Sequence, residues 1–122
     1  MFSVQEQIKL WDRVAHLPDL LTAIANIDVT KVQAVSNLRK KWSAEEVSIA
    51  IELTRARISA KGRLDNAETI VSDLAGVQQT SSSAIAKWKA KRFAQHKQVV
   101  DVCCGVGGDL MYLPATSIGV EI

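Results

Sequence analysis

Most of the chemistry legible in this chain lies in one string: Val99-Val100-Asp101-Val102-Cys103-Cys104-Gly105-Val106-Gly107-Gly108-Asp109. Glu121 follows 20 residues after Asp101. A short apolar run rich in β-branched residues and ended by glycines has the pattern of a buried strand entering a turn. A glycine turn lets a ligand approach the backbone without meeting a Cβ. A helix opening just beyond it would aim free amides at the same place. A carboxylate at the tip of the adjacent parallel strand can accept hydrogen bonds from two ribose hydroxyls. These features together describe a nucleoside site at the C-terminal edge of an α/β sheet.

The details narrow the ligand. A phosphate-binding P-loop needs Gly-Lys-Ser/Thr, which the string lacks. A dinucleotide fingerprint needs a third glycine where Leu110 stands. Asp101, placed before the glycines, would repel a pyrophosphate. It suits a ligand with a cationic portion, such as the sulfonium and ammonium groups of S-adenosylmethionine (SAM).

The string resembles motif I of the class I SAM-dependent methyltransferases, acidic-x-Gly-x-Gly-x-Gly. Asp101, Gly105 and Gly107 match, and Cys103 stands where the first glycine usually is. The wording is most similar to a subgroup with Cys-Gly-x-Gly-Gly-Asp/Asn. That subgroup includes trimethylguanosine-synthase-like RNA methyltransferases and bacterial methyltransferases with a THUMP-like domain. The resemblance covers residues 79–122 well and 43–78 loosely. It implies that Asp101 lies near the methionine amino end and that Gly105, Gly107 and Gly108 pass under the ligand. It further implies that Cys103 lies in the cofactor loop, that Asp109 caps the next helix and that Glu121 binds the ribose hydroxyls. The family moves the sulfonium methyl by in-line displacement, which rests largely on positioning and exclusion of water. The catalytic residues and the methyl acceptor are not assigned by the string; RNA leads by resemblance.

The elements that must position this site read as helices followed by strands. Ser3 and Glu6 form a capping box for a helix over 3–17, and Pro18 marks its break. Residues 19–27 suit a second helix. Asp28 or Thr30 would cap a third, running to about Trp42. Ser43 and Glu46 form another capping box and open the most apolar stretch, 47–58. There Val47, Ala50, Ile51, Thr54 and Ile58 share one face, with Ile49 and Leu53 opposite, as in a helix packed between others. Gly62 suits its stop. A helix over 65–75 ending at Gly76 and another over 84–96, capped from Ser81-Ser82-Ser83, complete the helical part. Strands follow at 98–102 and 117–122, with a brief helix over 108–113 between them. The expected fold is a mainly α N-terminal module (1–78) leading into the first β-α-β unit of a Rossmann-like α/β methyltransferase domain (79–122).

Composition agrees with a globular chain. It has 122 residues, 48% hydrophobic, with 15 Lys+Arg against 13 Asp+Glu. No apolar run is long enough to cross a bilayer, and the N-terminus lacks the apolar core of a signal peptide. Two cysteines in one dipeptide make neither a disulfide framework nor a tetrahedral zinc site, so a reducing cytoplasm is expected. His16 and His96 suit helix ends, and Trp11, Trp42 and Trp88 suit core anchors. Two basic stretches could follow a phosphate backbone: Arg39-Lys40-Lys41 with Arg55, Arg57, Lys61 and Arg63, and Lys87, Lys89, Lys91 and Arg92 with Lys97. Solvated helix faces are the default for both.

The methyltransferase sheet has many more strands than the two found here. The chain is therefore expected to be the opening part of a longer enzyme, to bind SAM weakly and to transfer no methyl group alone. Its open sheet edge is expected to drive dimerisation or aggregation. Two other readings fit parts of the sequence. One is a non-catalytic helical interaction module with a vestigial nucleotide-binding corner. The other is an NAD-binding oxidoreductase, which Leu110 and Asp101 disfavour.

Overall fold

The computed structural model of the chain describes residues 1–121. It is mainly helical, with a two-stranded parallel sheet at the C-terminal end. α1 (Val4–Ala15) and α4 (Ala44–Ala60) open with complete Ser–Glu capping boxes, Ser3–Glu6 and Ser43–Glu46. Each box satisfies two backbone donors reciprocally, which is why both starts are sharp. α2 (Pro18–Ala25) begins on the residue that ends the preceding segment. Proline at the first helical position removes an amide that would have had no partner there.

α3 (Val32–Leu38) departs from expectation. Neither Asp28 nor Thr30 caps it. Asp28 Oδ1 is occupied by the amide and hydroxyl of Thr30, at 3.0 and 2.6 Å. That local turn competes with capping and delays the helix to Val32. The helix also ends at Leu38, four residues before Trp42, and the chain continues through turns.

α4 joins two apolar clusters. Its first half closes over Val14, Leu20 and Ile24 with Val47 and Ala50, and Trp42 packs against that cluster. Its second half supplies Ala56 and Ala60 to a cluster with Leu64, Ala67, Ile70 and Val77. Its buried face is thus Val47, Ala50, Leu53, Ala56 and Ala60. Leu53 is on that face, not opposite it, and Ile58 is 62% exposed. The small alanines admit close neighbours and set the face; the larger isoleucine is left in solvent.

The helix expected over 65–75 does not form. Turns occupy 65–69, and Thr69-Ile70-Val71 is a β-branched run that resists helix formation. α5 (Leu74–Gln79) starts later, where the Asp73 side chain accepts the amide of Gly76 at 2.7 Å. Gly76 is therefore inside a helix and does not end one. α6 (Ser83–Ala90) is capped by Ser82 and passes into a 3₁₀ turn, Lys91–Phe93, short of the expected His96. Ser83 ties α6 back to the loop after α4: its amide donates to Arg63 O at 2.8 Å and its hydroxyl accepts from Asp65 N at 2.9 Å.

β1 (Val100–Asp101) and β2 (Ile118–Gly119) pair in parallel, with Val100 opposite Ile118 and Asp101 opposite Gly119. Flanking bonds lengthen the ladder, Ile118 N to Val99 O at 2.9 Å and Val120 N to Asp101 O at 2.7 Å. Two expectations fail here. The connection holds only a 3₁₀ turn, Leu110–Tyr112, in place of an α-helix. Leu113 is extended before Pro114, a conformation that the following proline favours and a helix cannot use. The strands are also not buried. Val100, Val102, Ile118 and Val120 alternate onto one exposed apolar face, with Val102 64% exposed.

No helix among the described residues is long and apolar enough to cross a membrane. The observed face of α4 makes a direct prediction. Leu53→Ala should cost about 2–5 kcal/mol of stability, whereas Ile58→Ala should cost under about 0.5 kcal/mol. Urea unfolding of both variants checks this, and equal costs would contradict the assignment.

Candidate functional site: the glycine bend and its cleft

The site begins where β1 ends. Gly105 and Gly107 take φ of +51° and +79°. L side chains rarely adopt that region, so glycine at these two positions lets the chain reverse without strain. The bend is held from two sides. Asp101 Oδ1 accepts the amide of Cys103 at 3.2 Å. Glu121 Oε2 accepts the amide of Gly105 at 2.6 Å, and Cys104 N donates to Val120 O at 3.1 Å. The carboxylate after β2 therefore meets the bend after β1, as the sequence layout predicts. A carboxylate has about four lone-pair sites, so one amide does not saturate it.

The bend rests on the helical part. Val106 packs against the Ala56–Ala60–Val77 cluster. Gly108 passes so close to Thr80 that a Cβ there would overlap its hydroxyl oxygen. Asp109 Oδ2 pairs with Lys89 Nζ at 2.7 Å, and Lys89 also donates to Ser81 Oγ at 2.9 Å. Asp109 is thus tied sideways to α6 and does not cap a following helix, which corrects the expected role. Its other oxygen, Oδ1, is buried and has no hydrogen-bond partner in the structure.

Between bend and helices lies a cleft of about 590 Å³. Cys103, Cys104, Gly105, Val106, Asp109 and Glu121 form one wall; Asp73, Ala75, Gly76, Gln79, Thr80 and Ser81 form the other. Its charged lining is Asp73, Asp109 and Glu121, with no Lys or Arg among the described lining residues. The expected site residues Cys103, Gly105, Asp109 and Glu121 are brought together here. Asp101, Gly107 and Gly108 are not among the lining; they shape the bend from behind. The opposite wall was not assigned to the site from the sequence, where its only traces are the Asp73 cap and the Ser81–Ser83 run. Among the described residues, no group of His, Cys, Asp and Glu is placed to hold a metal.

The predicted core role of Trp88 is not met. Trp88 is 56% exposed, while Trp11 and Trp42 are partly buried. Both cysteines are free thiols at the cleft.

Comparison of the chain with protein-family models, with curated proteins and with solved structures gives no match.

A second tie links the connection between the strands to the helices. Asp65 Oδ2 accepts from Lys87 Nζ at 2.6 Å and from Tyr112 Oη at 2.7 Å. The Lys87 hydrogen bond, then the Tyr112 one, hold the Asp65 carboxyl below its ordinary value, and the same pairing raises Lys87. A carboxyl whose folded pKa is depressed contributes stability above its unfolded pKa, about 4. That contribution is lost as pH falls through the lower folded value. Acidification below about pH 4 should therefore lower the protection of Met111, Tyr112 and Leu113 from hydrogen exchange, relative to the intrinsic rate at each pH. Asp65→Asn should show the lower protection already at neutral pH and remove the acid dependence. Retention of that dependence in the variant would assign it elsewhere.

Proposed function

We propose that the cleft is the SAM site of a class I methyltransferase domain, and that β1, the bend and β2 are the opening of its Rossmann-like sheet. The observation that carries this reading is the Gly105–Glu121 hydrogen bond. It brings the glycine bend and the carboxylate of the next parallel strand onto one wall, the arrangement that binds a ribose beside a close-approach loop. The charge of the cleft supports the same ligand class. An acidic lining without Lys or Arg suits a nucleoside bearing cationic groups and opposes a pyrophosphate. The size is compatible as well, since pockets for small ligands run from about 300 to about 1,000 Å³.

Bound there, SAM supplies an electrophilic sulfonium methyl. This chain's own residues bind and orient. Glu121 accepts the ribose hydroxyls. Gly105 lets the backbone approach the ligand, and Asp109, steadied by Lys89, faces its cationic end. The methyl acceptor is not assigned by these residues.

Calorimetric titration with SAM, S-adenosylhomocysteine and NAD tests the proposal. The expected result is heat from the first two ligands only. Glu121→Ala should lower affinity on the order of tenfold, the worth of hydrogen bonds to a charged group. Binding of NAD alone, or of none of the three, would overturn the methyltransferase reading.

A further inference from the structure

A distinct surface lies on α6 and the 3₁₀ turn that follows it. From Leu74 to Val100 the chain carries Lys87, Lys89, Lys91, Arg92 and Lys97 and no carboxylate. The whole chain has 15 Lys+Arg and 13 Asp+Glu, so the remainder carries ten cations against thirteen anions. The excess positive charge of this protein is thus concentrated in one segment.

The structure separates those cations by what they do. Lys87 is spent on Asp65 and Lys89 on Asp109. Lys91, Arg92 and Lys97 are exposed and make no ion pair among the described residues. An exposed aromatic lies against one of them. Trp88 and Arg92 are four apart and share a helix face, with the guanidinium carbon 5.0 Å from the indole centroid. Phe93 is also exposed, beside His96 with ring centroids 6.4 Å apart. Alongside runs an open groove of about 430 Å³, between Lys87, Lys91 and the Tyr112–Pro114 turn.

We infer that this face binds single-stranded nucleic acid. Unpaired cations near an exposed indole match both halves of such a ligand. The cations meet phosphates and release their counterions. The aromatic face stacks an unpaired base without needing to read it. A face built for an apolar protein partner would not set an arginine without an ion pair against its exposed tryptophan. A duplex hides its base faces, so the indole favours a single strand. The inference uses residues outside the cleft and does not require the methyltransferase reading.

The test is fluorescence anisotropy with a labelled oligouridine of about 15 nucleotides, at about 50 and about 200 mM salt, without any cofactor. Three phosphate contacts predict a slope of about −2 in log K against log salt, hence about a fifteen-fold loss between the two conditions. Lys91→Glu, Arg92→Glu and Lys97→Glu combined should abolish binding. Trp88→Ala should weaken it on the order of tenfold and leave the slope unchanged, with Trp88→Phe restoring it. Arg39→Glu, Lys40→Glu and Lys41→Glu combined should leave it intact. Absence of binding at the lower salt would overturn the inference. So would a Trp88→Ala variant that binds like the parent, tighter binding to duplex DNA of the same length, or equal displacement by polyglutamate.

Discussion

The bond between the Gly105 amide and the Glu121 carboxylate closes the only corner where the described residues place strand ends and glycines together. It joins points 16 residues apart and spans 2.6 Å. It depends on the parallel register, since a shift of one residue would turn Glu121 to the opposite face of the sheet. That register is fixed by Val100 opposite Ile118 and Asp101 opposite Gly119. The bend itself needs support, because a two-stranded ladder is marginal alone. The support comes from the helices, through Val106 in the α4–α5 cluster and Lys89 on Asp109. The helical part is therefore one wall of the cleft and not merely its neighbour.

Features written in local chemistry were legible from the sequence. Both capping boxes, the break at Pro18 and a cap within Ser81–Ser83 are short-range, so residue type and spacing suffice to place them. The meeting of Glu121 with the glycine bend was legible for a different reason: strand, glycine turn and strand have a known handed geometry. What escaped depends on competition or on tertiary contact. Asp28 chose its own turn over a helix cap. Leu53 and Ile58 exchanged roles because neighbouring elements, not periodicity, decide which side of α4 is covered. The Asp73–Ser81 wall of the cleft carries no motif. Only folding brings it opposite Cys103–Val106.

Charge is divided in space. The cleft gathers Asp73, Asp109 and Glu121, while the outward side of α6 gathers Lys91 and Arg92, with Lys97 beyond it. Lys89 stands at the border and neutralises one cleft carboxylate from the helical side. This division keeps an acidic cleft and a basic face apart on one short chain. It also explains why a net charge of +2 says little about either. Trp88 stands exposed on the same helix, so aromatic type alone misled as a core signal there.

The central claim is that the corner made by Gly105 and Glu121 is a nucleoside pocket. Amide chemical-shift mapping by NMR during addition of S-adenosylhomocysteine reads it directly. The account predicts shifts confined to Gln79–Ser81, Cys103–Asp109 and Glu121, with Gly105 among the largest. Shifts confined to other surfaces, or a Gly105 amide unmoved at saturation, would contradict it.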